Sequence, residues 1–374
     1  MPVLTPPNEQ IALPFAPLAP APAAALNGDG VPRYGGYEGI VGTASTGGVT
    51  GAHRLGGGDP LSIARRALRK KSWVYLFVAT EETSVSAVLV NGAVTGTGFI
   101  MVTDLQTGEV IADSSRKGAL ASVNDSPGDG LRAAYRMPGT RYAVRRSGDE
   151  VRFNVSLGHS IASLPGRSKP WVEADLTLRA EGAGVTAISE VDHGGQASAS
   201  VTAKTAGLPV RGQIVVRDES GTRTLDLDGG FGGYDYTKGL LPRNTAWRWA
   251  YGTGRLEDGT VLGFNLVEGF SGVGERSREN AVWIDGRPRA LDPRTTFDFD
   301  RGDLMRPWRI TTQDGTVRLR FEPVAAHSEQ LDVKVLRSRF VQPVGHFSGE
   351  LDVDGRTYRL DRLPGVAEDQ DILW

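Results

Sequence analysis

The stretch "ELDVDGRTYRLDRL", residues 350–363, decides the fold. Apolar and polar residues alternate on both sides of the step Asp354-Gly355, which is the period-2 pattern of half-buried strands. An Asp-Gly loop between two such runs is a strong signal for a type I′ hairpin, because both turn residues need positive φ. The stretch therefore predicts two antiparallel strands joined by a tight turn.

The same pattern recurs through most of the chain after Lys71. Examples are "SVSAVLVNG" (84–92), "VRFNVSL" (151–157) and "TVRLRFEP" (316–323), and the 49 glycines and 21 prolines of the 374 residues supply many turns. The exception is "LSIARRALRKKS" (61–72), which predicts one short surface helix with a solvated basic face. The fold class is therefore all-β and antiparallel, with one short helix.

The second half of the chain resembles the first in four blocks that keep the same order. Residues 71–92, 97–115, 135–157 and 208–239 match residues 245–266, 279–293, 305–323 and 342–371. This internal duplication predicts two lipocalin-like β-barrel halves, at 31–240 and 241–374, after a disordered Pro/Ala-rich arm at 1–30. A large β-sandwich or a single propeller-like body is the alternative. A barrel of about eight strands can hold one small ligand.

Composition excludes several classes of function. A formal charge of −2 gives no overall field for nucleic acid, and the absence of cysteine excludes disulfides and thiol chemistry. The five histidines show no metal-binding spacing, and no dinucleotide or phosphate-loop fingerprint is present, so we expect no metal and no cofactor. Neither a convincing signal peptide nor an apolar run of membrane-spanning length occurs, so we expect a cytoplasmic protein without a membrane span.

The candidate site is "GGYDYTKGLLPRNTAWRWAYGTG", residues 232–254. Glycine and proline predict an irregular connection between the halves, flanked by Asp235 and Asn244. Trp247 and Trp249 are two residues apart on a strand and share a face. In an aromatic pocket the pKa of Asp235 would rise, so that it could donate a proton. Alternatively, Asp235 accepts turn N–H groups and the tryptophans belong to the core.

Further polar and aromatic residues complete the predicted site. Glu279 lies on one strand face with Trp283 and is a second carboxylate for an acid/base pair, unless it is solvated. The candidate substrate contacts are Asn244, Trp247, Trp249, Asn265 and Trp308. A second sheet could instead supply the hydrogen-bond partners of a buried Asn265, and Trp308 could instead cap a barrel end in the core. Glu368 and Asp369 occupy the position of Asp235 in the duplicated half, either as the relic of a second site or as a charged tail.

The motifs also carry a resemblance. "RNTAWRWAYGTG", "GFNL", "ENAVWIDG", "MRPWRI", "VRLRFEP" and "VGHFSGEL" resemble the successive motifs of the bacterial family known as domain of unknown function 2804. More distantly the chain is similar to the carotenoid hydratase and pericyclase group, in which two lipocalin-like halves share a pocket. That resemblance implies an acid at Asp235, whereas Tyr236 and Thr237 replace the His and Glu of that group's motif.

Two classes of function follow. The first is a cofactor-independent enzyme that uses buried carboxylates on a small apolar or sugar-like molecule, by hydration, dehydration, cyclisation or glycoside hydrolysis. The alternative is a carrier that binds a hydrophobic metabolite without changing it, and a third possibility is a scaffold with filled barrels.

Overall fold

The computed structural model describes residues 18–118, 121–158, 170–193, 196–269, 278–291, 294–333 and 336–373. These residues are nearly all β, as the alternation predicts, with one α-helix at Pro60–Arg69 (α1) and one 3-10 turn at Gly51–His53. Asp354 and Gly355 have φ values of 52° and 77°, and Leu351 pairs with Tyr358 across the turn. The hairpin at residues 350–363 is therefore confirmed.

The strands up to residue 240 form one curled sheet, in which sixteen strands lie among the described residues. In chain order they are Ala19–Pro20 (β1), Gly35–Glu38 (β2), Lys70–Ala79 (β3), Thr83–Asn91 (β4), Gly96–Asp104 (β5), Val110–Gly118 (β6), Ser122–Val123 (β7), Arg132–Met137 (β8), Thr140–Ser147 (β9), Glu150–Leu157 (β10), Trp171–Arg179 (β11), Val185–Asp192 (β12), Ala197–Lys204 (β13), Leu208–Asp218 (β14), Gly221–Asp226 (β15) and Phe231–Leu240 (β16).

The strands after residue 243 form a second sheet, with nine strands in the described part of the chain. They are Asn244–Arg255 (β17), Val261–Glu268 (β18), Ala281–Ile284 (β19), Arg287–Ala290 (β20), Thr295–Asp298 (β21), Trp308–Thr312 (β22), Val317–Val333 (β23), Leu336–Val353 (β24) and Arg356–Leu373 (β25). The boundary between these two sheets falls at the predicted boundary of the halves, although the division into domains stays a prediction.

The two sheets have the same pairing pattern. In the first, β3 pairs with the next strand β4 and with the last strand β16, and in the second β17 pairs with β18 and β25. Each of the three long strands of the second sheet corresponds to two shorter strands of the first. Strand β23 corresponds to β11 and β12, β24 to β13 and β14, and β25 to β15 and β16. By this pairing β10 corresponds to β22. The third of the four blocks matched in the sequence, 135–157 with 305–323, is therefore displaced by one strand from the match that the structure shows.

Three apolar clusters fill the molecule. One lies inside the first half, where Leu76 packs with Tyr142 and Phe153, and another lies inside the second half around Phe264 and Phe347. A third cluster lies in the seam between the halves. Strand β3 is buried on both faces, because Val74, Leu76 and Val78 face the first core while Tyr75, Phe77 and Ala79 face the seam. Its unbroken apolar sequence follows from that position.

Three local expectations differ from the structure. Residues 18–30 of the predicted arm pack on the first sheet, with Ala19 paired to Tyr37 and Ala25 fully buried, so this part is not disordered, and residues 1–17 lie outside the described residues. The predicted break at Gly239 is absent, because β16 continues to Leu240. Helix α1 is present, but its solvated side carries Leu61, Ile63 and Leu68 beside Arg65, whereas Arg66 and Arg69 are half-buried. In the described segments, no helix has the length and apolar character needed to cross a bilayer.

Candidate active site

A cavity of about 230 Å³ lies in the seam between the two sheets. It is smaller than the roughly 300–1,000 Å³ of most ligand pockets, so it suits a small ligand or one end of a longer one. Its walls are mainly apolar and come from both halves. They include Trp73, Val88, Phe99, Trp247, Val267 and Phe340.

Pairs of aromatic rings cross the seam beside the cavity. Alternate residues of a strand point to one side, so β3 and β17 each present three rings to the other half. The pairs are Trp73 with Trp247 (6.0 Å between ring centroids), Tyr75 with Trp249 (5.1 Å) and Phe77 with Tyr251 (5.8 Å). These rings fix the two halves against each other and bury the polar groups that lie between the strands.

A buried lysine holds two carboxylates at the cavity wall. The Nζ of Lys204 lies 2.5 Å from Oδ2 of Asp235 and 3.4 Å from Oε2 of Glu279. The side chains of Lys204 and Glu279 are 6% and 1% exposed. Burial lowers the pKa of Lys204, but the charges of Asp235 and Glu279 outweigh it, so the net shift of this pKa is upward. Lys204 is therefore an ammonium ion inside the protein.

Glu368 is a third buried carboxyl group at the cavity, and its partners are neutral. Its Oε1 accepts a hydrogen bond from Nε1 of Trp247 at 2.7 Å, and its Oε2 accepts one from Nε2 of Gln342 at 2.9 Å. Burial raises the pKa of Glu368 to about 7, with a further contribution from the charge of Asp235, because the two hydrogen bonds compensate only in part. A large fraction of Glu368 is therefore protonated at neutral pH.

The hydrogen bonds extend from Glu368 to the other half. Gln342 accepts a hydrogen bond at its Oε1 from the Tyr75 hydroxyl, over 3.0 Å, and the oxygen of that hydroxyl lies 3.1 Å from Oγ of Ser86. Burial raises the pKa of Tyr75 well above its ordinary value, so its hydroxyl stays neutral. Residues of both sheets thus orient the Glu368 carboxyl.

The duplication places the two acids in equivalent positions. Asp235 pairs with Tyr75 of β3 and with Lys204 of β13. Glu368 pairs with Trp249 of β17, and Gln342 lies beside it in β24. Gln342 therefore occupies the position of Lys204. One acid faces an ammonium group and its counterpart faces an amide.

The mouth of the cavity lies at the turn between β4 and β5 and at the adjacent end of β6, where Val94, Thr95 and Lys117 line it. Lys117 forms an ion pair of 2.7 Å with Glu329 there. Glu329 also lies 3.6 Å from Nε2 of His327, whose ring stacks on Phe99 at 4.3 Å. In spite of burial, the carboxylates of Asp113 and Glu329 raise the pKa of His327 to about 9, so a buried imidazolium lies behind the Phe99 wall of the cavity.

The structure brings most of the predicted site residues together. Asp235, Glu279, Trp247 and Trp249 all line the cavity. Asn265 is fully buried behind them, where its Oδ1 accepts from Nε1 of Trp249 at 2.7 Å and its Nδ2 donates to the Glu279 carbonyl at 2.8 Å. It positions these residues rather than contacting the cavity.

Two predicted contacts lie elsewhere. Asn244 is exposed at the start of β17 and does not line the cavity. Trp308 is 1% exposed inside the second half, where it stacks on Phe299 at 4.0 Å and donates to the Leu304 carbonyl. Trp308 follows the core alternative, because the strand that carries it faces its own barrel.

Lys204 and Gln342 were not predicted. Neither has a local motif, because each acquires its role only by lying beside an acid on a neighbouring strand. The duplication placed Trp73 opposite Trp247 and placed Glu368 and Asp369 together opposite Asp235, without choosing between the two acids. In the described part of the chain, no group of three or more acidic or histidine side chains is arranged to hold a metal ion, and the expectation of a cofactor-free protein stays a prediction.

Fold and site together define an all-β protein of two like-built halves with an acid-bearing cavity in their seam. Residues 53–374 match the family model described as "Domain of unknown function (DUF2804)", and the chain belongs to that family. This confirms the resemblance of the sequence motifs. No curated protein matches the chain.

Solved structures show a general similarity of fold. CghA with Sch210972 has 13% identity over 82% of this chain and 89% of its own, with a TM-score of 0.49. Kievitone hydratase from Nectria haematococca has 12% identity over 81% and 88%, with a TM-score of 0.43. An AttH candidate from Nitrosomonas europaea has 12% identity over 81% and 92%, with a TM-score of 0.40.

Proposed function

We propose that the protein is a cofactor-independent enzyme that performs acid/base chemistry on a small apolar molecule, of the lyase or cyclase type. One observation carries the proposal. A protonatable carboxyl, Glu368, faces an apolar cavity that it shares with a second, ion-paired carboxylate, Asp235. Carboxyl groups whose surroundings differ in this way are the usual basis for dividing acid and base roles.

Glu368 is the proposed proton donor. A general acid works best when its pKa lies near the working pH, and the value of about 7 meets that condition. Trp247 and Gln342 hold both of its oxygens, so its orientation is fixed before a substrate arrives. Asp235, paired with Lys204, is the proposed base, and Glu279 anchors Lys204 from the other side.

A dehydration illustrates the division of roles. Glu368 gives its proton to a hydroxyl oxygen, which leaves as water when the C–O bond breaks. Asp235 takes a proton from the neighbouring carbon, and the electron pair of that C–H bond becomes the second bond of the new alkene. The reverse sequence adds water, and protonation of an alkene or carbonyl by Glu368 would instead start a cyclisation. Apolar walls favour these reactions over glycoside hydrolysis.

The test is to incubate the purified protein with a metabolite extract and follow it by untargeted mass spectrometry. The wild type should deplete one compound and accumulate another that differs by one water or by an isomeric rearrangement. Glu368→Gln should lower that conversion by at least about a hundredfold, as expected when a general acid is lost. Equal conversion by the wild type and the variant would remove Glu368 from the mechanism.

A second variant tests the role of the amide partner. Gln342→Lys places an ammonium group beside Glu368, as Lys204 lies beside Asp235, and should lower the pKa of Glu368 and the conversion with it. Its activity should then recover as the pH is lowered, whereas a merely misfolded variant would not recover.

One observation favours a carrier as the second candidate. Asp235 and Glu279 are both ion-paired with Lys204, and the side chains of all three are at most 13% exposed, so an apolar ligand meets little exposed charge at this wall of the cavity. A carrier would retain a metabolite unchanged, and Glu368→Gln would leave the retained amount unaltered. Recovery of the same compound before and after incubation would favour this alternative.

A further inference from the structure

Helix α1 turns its apolar side to solvent. Leu61, Ile63 and Leu68 are 70%, 52% and 55% exposed. The side that carries Ser62, Arg66 and Arg69 faces the protein, where Arg66 donates hydrogen bonds to the carbonyls of Leu55 and Gly57, at 2.9 and 2.7 Å, whereas Arg65 is exposed beside the leucines. A surface helix ordinarily buries its apolar stripe, so this orientation is the reverse of the usual one. No residue of α1 is buried.

The exposed apolar side adjoins the mouth of the cavity. The Nζ of Lys71 donates to the Leu68 carbonyl at 2.8 Å and to the Gly92 carbonyl at 2.7 Å, which ties the end of α1 to the turn after β4. Val94 of that turn is 67% exposed and lines the cavity. Four of the seven large apolar side chains that are exposed among the described residues are therefore gathered here, namely Leu61, Ile63, Leu68 and Val94.

This apolar surface is flanked by positive charge. Residues 60–80 contain no Asp or Glu and five basic residues, in a protein whose formal charge is −2. Within the described segments, Arg65, Arg69 and Lys70 form no salt bridge. Asp59, just before the helix, is used as its N-cap and accepts from the Ser62 backbone N–H at 2.9 Å. Two copies of this surface would repel each other, so self-association is disfavoured and an anionic partner fits.

We propose that α1 and the turn after β4 dock on the surface of an anionic phospholipid bilayer. A basic helix with exposed leucines inserts its apolar side at the headgroup boundary, while its long cationic side chains reach the lipid phosphates. Each Lys or Arg near an anionic leaflet adds to the attraction. Docking in this orientation places the cavity mouth against the bilayer, where an apolar ligand would be concentrated. The proposal stands whether the cavity is an active site or a carrier site.

The test is co-sedimentation of the full chain with vesicles of phosphatidylcholine alone or with about one third phosphatidylglycerol. Binding should require the anionic lipid and should weaken when NaCl is raised from about 0.1 M to about 0.5 M. The double variant Leu61→Ser/Leu68→Ser should bind at least about tenfold more weakly, because the inserted apolar area is lost. Arg65→Glu/Lys70→Glu should also lose binding.

A matched control separates docking from general stickiness. Val110 and Met305 are each 43% exposed at other places, and Val110→Ser/Met305→Ser should bind like the wild type. All these side chains are exposed, so circular dichroism should show unchanged folding. The proposal is overturned if anionic vesicles bind no protein, if the two double serine variants lose binding equally, or if the leucine variant instead abolishes a concentration-dependent dimer.

Discussion

The two acids in equivalent positions of the halves have different polar partners. Asp235 lies beside the ammonium group of Lys204, whereas Glu368 lies beside the amide of Gln342. An opposite charge favours the ionised form of a carboxyl group, and burial without such a charge favours the protonated form. The duplicated fold therefore holds two equivalent acids with different partners, and that difference is the basis of the separate roles proposed for them.

The raised pKa of Glu368 predicts how the free energy of unfolding changes with pH. Between pH 4.5 and about 7, Glu368 of the folded wild type keeps a proton that the unfolded chain has released. The free energy of unfolding of the wild type therefore falls as the pH rises through this range. Glu368→Gln cannot titrate. From pH 5 to pH 8 its free energy of unfolding should therefore improve relative to wild type by about 2–3 kcal/mol. Urea unfolding at several pH values measures this, and a constant difference would contradict the raised pKa.

The lysine between Asp235 and Glu279 makes a second prediction. Lys204→Met leaves two buried carboxylates without their counter-charge, and breaking a buried ion pair on one side costs about 3–5 kcal/mol. The triple variant Lys204→Met/Asp235→Asn/Glu279→Gln removes the charges together and should recover most of that loss. Urea unfolding at neutral pH compares the two variants. A triple variant as unstable as the single one would show that packing, not charge, is what Lys204 supplies.

Some residues of the candidate site could be predicted from the sequence, and others could not. Trp247, Trp249 and Asp235 could be predicted from the sequence, because spacing along a strand determines which side chains share a face. Lys204 and Gln342 could not, because partners on neighbouring strands depend on register, which alternation does not specify for strands buried on both faces. The duplication pointed to Glu368 and Asp369 together, and only the pairing of Glu368 with Trp249 shows which of the two is the counterpart of Asp235.

At the scale of elements, strand β16 crosses close to the other half. A Cβ on Gly233 would lie 2.0 Å from the Thr205 carbonyl oxygen and 2.3 Å from the Tyr251 hydroxyl oxygen. Gly233→Ala should therefore destabilise the protein by at least about 2 kcal/mol, since neither backbone nor seam can yield cheaply. Gly58→Ala, which meets nothing within 4 Å, should change stability by less than about 0.5 kcal/mol. Thermal unfolding of the two variants gives the comparison.

Helix α1 forms where the sequence predicts it, but the side that it turns to solvent differs from the prediction. The pattern of "LSIARRALRKKS" specifies an amphipathic helix, and α1 forms there. Periodicity says which residues share a face, but which face meets the protein depends on what lies beneath. Here the backbone carbonyls of Leu55 and Gly57 accept hydrogen bonds from Arg66, so the side with Arg66 is held against the protein, and the leucines and Arg65 are left exposed.

At the scale of the whole molecule, the halves share one apolar cluster in addition to their own. The seam contains Phe77 and Phe99 from the first sheet and Trp249, Tyr251 and Trp283 from the second, all buried. Neither half by itself can shield these rings from water. Fully burying one such side chain stabilises the folded state by about 1.5–3 kcal/mol. The seam therefore makes the two halves depend on each other, and the cavity exists only while both are folded.

That dependence predicts one cooperative unfolding transition, although chains of this length often unfold in steps. Tryptophan fluorescence is weighted towards the seam, where Trp73, Trp247, Trp249 and Trp283 lie, while far-UV circular dichroism reports both sheets. The two signals should give the same urea midpoint, and a ligand that fills the cavity should shift both together, because it binds only the folded state. A circular dichroism transition that remains after the fluorescence change is complete would mean that one half is stable by itself, and the shared seam would then not be what holds the acids in place.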